Sequence, residues 1–130
     1  MIVAIGVDEA SVARFERMLR EDGGKVYSRL CTDAEHAWCV SQARPHEALA
    51  ARWAAKEAIA KCLGTGFDQG VTPRCIEVIR DGTGRVSVAL HGAAAAAAAV
   101  AGIDRIHISM SHSEQRAIAF AVAERVGNAQ

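Results

Sequence analysis

The chain carries no net charge, no cysteine pair at metal or redox spacing, no long apolar run and few aromatic side chains. Its 15 Lys and Arg cancel its 15 Asp and Glu, which removes any global field favouring nucleic acid or an anionic membrane. Electrostatic recognition must then come from local patches. Cys31, Cys39, Cys62 and Cys75 show no C-x-x-C arrangement, so zinc binding and thiol redox chemistry have no support, and reduced, mostly buried thiols are expected. No stretch approaches the ~18 apolar residues of a membrane span. Met1-Ile2-Val3-Ala4-Ile5 enters a strand pattern without a basic leader, which makes a cytoplasmic location the default expectation. With two Trp, one Tyr and three Phe as its only aromatic anchors, the chain must pack around thin side chains, chiefly alanine.

What is present fits one compact domain over 1–130, since about half of the 130 residues are hydrophobic. The central feature is a helix opened by Pro45 and closed by Gly64. Lys56 falls on its Leu49, Trp53, Ala60 and Leu63 side, and Glu57 and Lys61, four apart, share an adjacent face lined mostly by alanine. Charges among small apolar residues are costly to bury unless paired or set against a metal or charged ligand. Glu57 and Lys61 therefore read either as the start of a site or as an ordinary i,i+4 surface pair.

Before this helix, Ile2 to Val7 form an apolar strand pattern, and Asp8 stands where a turn into a helix is expected. It is placed either to enter a site or to cap the turn. The first helix is expected from Ser11 to Glu21, stopped by Gly23-Gly24, with Val12, Phe15, Met18 and Leu19 on one face. Arg14, Arg17 and Arg20 share the other face, as a solvated surface or a docking patch. Thr32-Asp33-Ala34-Glu35 has the form of a capping box and marks a second helix to about Val40.

After the central helix, the glycine-rich loop from Gly64 to Gly70 has the freedom to bring backbone N–H groups near a phosphate, or simply ends the helix. Cys75 to Arg80 and Arg85 to Leu90 alternate around Asp81-Gly82-Thr83-Gly84 as a hairpin. The alanine run Ala93 to Ala99 reads as a short helix. Ile106 to Ser111 and Ala117 to Glu124 form a second strand pair, the last strand alternating alanine with Ile118, Phe120 and Val122 as if both faces were covered. Val126 to Gln130 is expected to fray.

The run Arg52-Trp53-Ala54-Ala55-Lys56-Glu57-Ala58-Ile59-Ala60-Lys61, followed by Leu63-Gly64-Thr65-Gly66-Phe67, resembles the signature of the holo-acyl-carrier-protein synthases, the small class of 4'-phosphopantetheinyl transferases. Three other segments resemble that family in order: Ile5-Gly6-Val7-Asp8 with Arg14, Leu30-Cys31-Thr32-Asp33-Ala34-Glu35, and Ile108-Ser109-Met110-Ser111-His112-Ser113. The resemblance implies an α+β fold with an antiparallel sheet wrapped around a long central helix. It implies transfer of the phosphopantetheine arm of coenzyme A to an apo acyl carrier protein, with magnesium as cofactor and a homotrimer as the working form. Asp8 and Glu57 match the metal-binding acids, and Lys61 the lysine at the pyrophosphate; these three are the expected catalytic residues. Arg44, Arg52 and His112 match coenzyme A contacts, and Gly64 and Gly66 of the glycine-rich loop are expected to bind the same ligand with Lys61. Arg14 matches a carrier-docking position, and Arg17 and Arg20 join it by their shared face.

Three positions depart from the family pattern: Glu9 after the first aspartate, Cys31 for a phenylalanine, and Val86 for a proline. Glu9 bears most on chemistry, because a second carboxylate beside Asp8 either adds charge at the metal or points to solvent. It also keeps open a non-catalytic module that holds coenzyme A or a carrier. A metal-dependent hydrolase of another pyrophosphate is a further alternative. His36, His46, His91 and His107 have no comparable context and are expected to be structural or exposed.

Overall fold

The structure is a computed structural model and describes residues 1–127. Its elements follow in the order β1 (Ile2–Ser11), α1 (Val12–Asp22), α2 (Lys25–Leu30), α3 (Asp33–Val40), α4 (Pro45–Leu63), a 3-10 turn (Pro73–Cys75), β2 (Ile76–Arg80), β3 (Val86–Leu90), α5 (Gly92–Ala101), β4 (Arg105–His112) and β5 (Arg116–Glu124). The expected single sheet is divided into two antiparallel ones. One has three strands in the order β1-β5-β4, and the other is the β2-β3 hairpin.

Helix α4 is the axis of the molecule. Pro45 stands in its first turn and Gly64 ends it in the left-handed conformation, φ 79°. Nearly all of it is buried because it packs on β1, β5 and α1 and touches β4, β2, α3 and α5 as well. Thin side chains make this packing close: Ala54, Ala55 and Ala58 on α4 and Ala117, Ala119, Ala121 and Ala123 on β5 are fully buried. Gly6 on β1 completes the approach, because a Cβ there would overlap the Ala58 carbonyl oxygen and come within 3.1 Å of Cys62 Sγ.

Strand β1 runs past the turn expected at Asp8, with Asp8 opposite Ala119 and Ser11 opposite Arg116. Pairing with β5 carries the extended backbone on to Ser11, whose side chain then accepts from the Arg14 N–H and starts α1. Helix α2, not foreseen between the glycine pair and the capping box, puts Val26 and Tyr27 into the core. The capping box of α3 forms in full, with Thr32 and Glu35 bonded reciprocally. Val86, where the family pattern has proline, pairs with Arg80 in the hairpin ladder.

The outer face of the three-stranded sheet departs from expectation. Alternation sends the β5 alanines under α4, but Ile118 and Phe120, with Ile5 and Val7 of β1, are exposed. Only one face is covered within the chain. At the C-terminus the Val126 N–H donates to Asp104 Oδ1 at 2.9 Å, so the expected fraying does not begin there. Residues 128–130 lie outside the described residues.

Candidate active site

The packing of β1 on α4 at Gly6 brings three of the predicted residues together. Asp8 lies two positions beyond Gly6 on the same strand face, and Glu57 lies one residue before the Ala58 carbonyl that Gly6 admits. The Asp8 and Glu57 carboxyls lie close enough for each to feel the other's charge. Lys61, one turn further along α4, donates to the Val7 carbonyl at 3.0 Å and stands 3.3 Å from Asp8 Oδ2. Asp8 Oδ1 also accepts the Glu9 N–H at 2.8 Å. Burial, and after it the neighbouring Asp8 carboxyl, push the Glu57 carboxyl above its ordinary value, against the attraction of Lys61 and Arg14. Among the described residues no third metal-ligating side chain joins this pair.

Glu9 is exposed and its carboxylate lies 3.6 Å from Arg116. Alternation along β1 carries it to the face opposite Asp8, so it adds no ligand to the acid pair. Arg14, Arg17 and Arg20 are all exposed on α1, and Arg14 is near enough to act on Glu57.

A second group forms at the other end of α4. Arg44, the residue before Pro45, donates to Glu47 Oε2 at 3.2 Å, and His112 Nδ1 lies 2.9 Å from Glu47 Oε1. With Trp38, Gln42, Ala43 and Ala48 they line a cavity of about 270 Å³. The ten residues from Glu47 to Glu57 correspond to about 15 Å of helical rise, so Arg44 and His112 do not meet Asp8, Glu57 and Lys61 in one chain.

Arg52 and the two glycines behave differently from expectation. Arg52 is 1% exposed, with its guanidinium carbon 3.9 Å from the centre of the Trp38 ring. Its Nε has no hydrogen-bond partner among the described residues. The Trp38 ring lines both the cavity at Arg44 and His112 and the one holding Arg52. The Gly64 and Gly66 N–H groups donate to the Lys61 and Ala60 carbonyls at 3.1 and 3.2 Å. Closing the helix uses these donors, so they are not free for a phosphate.

Sequence reasoning missed two buried acids. Glu35, beyond its capping role, accepts from Lys56 Nζ at 2.7 Å and from the Val78 N–H at 2.9 Å. Lys56 also donates to the Pro73 and Ile76 carbonyls, so this fully buried ammonium binds α4 to α3 and β2. Spacing gave no signal, because the partners lie on different elements. Glu47 was hidden for the same reason, its partner His112 being 65 residues away.

The family model that matches residues 4–123 is that of the 4'-phosphopantetheinyl transferase superfamily. The chain belongs to this superfamily. It is similar to the holo-[acyl-carrier-protein] synthase of Koribacter versatilis, with 41% identity over 95% of this chain and 99% of the relative. Among solved structures, the holo-[acyl-carrier-protein] synthase of Neisseria meningitidis superposes with a TM-score of 0.85 at 36% identity, covering 95% of this chain and 99% of that one. The synthase of Bacillus anthracis, solved in complex with CoA (3',5'-ADP), gives a TM-score of 0.77 at 33% identity over 95% and 96% of the two chains.

Proposed function

We propose that this chain transfers the 4'-phosphopantetheine arm of coenzyme A to a serine of an apo acyl carrier protein and releases adenosine 3',5'-bisphosphate. The convergence of Asp8, Glu57 and Lys61 at the Gly6 contact carries the reading. Two acids and an ammonium brought to one spot suit a diphosphate that arrives with a hard cation.

The donor set fits magnesium. It offers carboxylate oxygens alone, and two such ligands leave positions for phosphate oxygens and water. Burial and the neighbouring Asp8 carboxyl together raise Glu57, and the repulsion between the two acids is relieved when a cation joins them. Asp8 and Glu57 would hold the ion, which when bound neutralises charge on the diphosphate.

The reaction forms a bond from the carrier serine oxygen to the phosphorus bearing pantetheine and breaks the bridging P–O bond to the nucleotide. Lys61 lies beside Asp8 and protonates the departing phosphate oxygen. Glu57 receives the serine proton through an intervening water. Arg44 and His112 contact the nucleotide end of coenzyme A. Arg52 stacks on Trp38, and its unpaired Nε suits an anion reaching the cavity they line. Arg14, Arg17 and Arg20 offer a basic face to an acidic carrier, with Arg14 near enough to act on Glu57.

The working form is a homotrimer. Ile5, Val7, Ile118 and Phe120 leave the sheet face apolar and exposed, at 69%, 44%, 36% and 50%, and a second subunit would cover it. The separation of the two residue groups along α4 supports a site completed by Arg44 and His112 from a neighbouring copy. The cytoplasm, where coenzyme A and carrier meet, is the proposed setting; no helix among the described residues is long and apolar enough to cross a membrane.

The test is incubation with magnesium, coenzyme A and an apo carrier, followed by intact-mass measurement of the carrier. The reading predicts a gain equal to one phosphopantetheine. An unmodified carrier would refute it.

A further inference from the structure

Glu47 occupies an unusual place for an acid expected near an anionic donor. Its side chain is 8% exposed, while those of its partners Arg44 and His112 are 59% and 43% exposed. The two carboxylate oxygens serve different partners, Oε2 accepting from Arg44 and Oε1 facing His112 Nδ1. The His112 hydrogen bond and the Arg44 charge hold the Glu47 carboxyl below its ordinary value, so it is ionised and can only accept. The proton between Glu47 and His112 therefore resides on Nδ1, which leaves Nε2 as the ring's free nitrogen.

This geometry joins two elements. Arg44 precedes α4, Glu47 lies in its first turn, and His112 ends β4. Arg44 also reaches Glu114 of the β4-β5 turn at 3.7 Å, a far more exposed partner. One buried carboxylate thus fixes the rotamers of two long or polar side chains at the mouth of a single cavity. Because both its oxygens face cationic or N–H partners, its own charge is screened from an incoming phosphate.

We infer that Glu47 is a positioning residue for donor binding: it sets the His112 tautomer and aims Arg44 and the His112 Nε2 edge together at the nucleotide of coenzyme A. This rests on the transfer reading for the identity of the ligand. It adds a residue that touches no substrate and acts through two that do. Outer partners of metal-ligating side chains are typically worth about 10- to 100-fold in affinity or activity. A similar loss is expected on removing this carboxylate.

The experiment is a double-mutant cycle read by calorimetric titration of coenzyme A, using wild type, Glu47→Gln, His112→Ala and the double variant. Glu47→Gln is expected to weaken binding roughly 10-fold or more, raising KM for coenzyme A while kcat at saturation and KM for the carrier stay near wild type. In the His112→Ala background the same change should cost less, only the share that runs through Arg44 remaining. Wild-type affinity in Glu47→Gln, or an equal loss in both backgrounds, would overturn the inference and leave the transfer reading intact. If wild type itself does not bind coenzyme A, the transfer reading falls first, and the ligand assigned here falls with it. A measurement on ligand-free wild type needs neither variant nor activity: ring 15N shifts should show neutral His112 protonated at Nδ1, and the opposite tautomer would overturn the positioning role.

Discussion

The Asp8 carboxyl on β1 lies close enough to the Glu57 carboxyl on α4 to help raise its pKa. Two neighbouring acids are repulsive when both are ionised, and the ways out are a shared proton or a cation. Lys61, more than half exposed, satisfies Asp8 only in part. The pair is therefore unfavourable in the ligand-free fold and favourable once a metal and a diphosphate are present, which is the behaviour a binding site requires.

The sign of the Glu57 shift makes the first prediction. Its pKa in the folded chain lies above the ordinary glutamate value, so the folded state holds the proton more tightly than the unfolded one. Stability then falls as pH rises from the ordinary value through the raised one, and levels off above it. Glu57→Gln should raise the melting temperature of metal-free protein at neutral pH, with the gain vanishing in acid. The same variant should lose about 100-fold or more in transfer rate, since metal-borne charge stabilisation is worth several kcal/mol. Melting curves across pH and initial rates check both; a stability gain that grows toward acid contradicts the assignment.

Gly6→Ala tests the contact that brings the acids together. A methyl group would collide with the Ala58 carbonyl and crowd Cys62, and overpacking of this kind costs about 1–3 kcal/mol. Displacement of α4 from β1 separates Glu57 from Asp8, so transfer should fall by more than the loss of folded protein explains. Gly24→Ala is the control: it has open space and φ −82°. Denaturant midpoints and specific activity would show the difference.

Lys56 and Glu35 form a buried pair whose side chains are each 1% exposed. Lys56→Met leaves the Glu35 charge uncompensated and should cost about 3–5 kcal/mol. Adding Glu35→Gln should recover part of this loss, because the remaining group is neutral. Urea unfolding measures both, and a Lys56→Met variant as stable as wild type would remove the pair as the tie between α4 and α3.

The periodic and capped elements were legible in the sequence: α4 between Pro45 and Gly64, α3 from its capping box, and both hairpins. Motif order also led to Asp8, Glu57 and Lys61, which the fold does bring together. What stayed hidden depends on contacts across elements. The end of β1 is set by pairing with β5, not by a local stop signal, and α2 has no capping side chain to announce it. Lys56 could be placed on the apolar side of the helix, but not paired, because its partner Glu35 lies on α3. Gly64 and Gly66 suited a phosphate loop by composition, but their N–H groups serve helix closure. The alternation in β5 indicated two covered faces, and a single chain covers one.

The most direct measurement is a crystal structure of the protein with coenzyme A and manganese in place of magnesium, using the metal's anomalous signal to locate it. The account predicts one metal peak bound by Asp8 and Glu57 oxygens and bridged to the diphosphate, with Lys61 against a phosphate oxygen. A diphosphate seated elsewhere, with no metal between the two carboxyls, would contradict it.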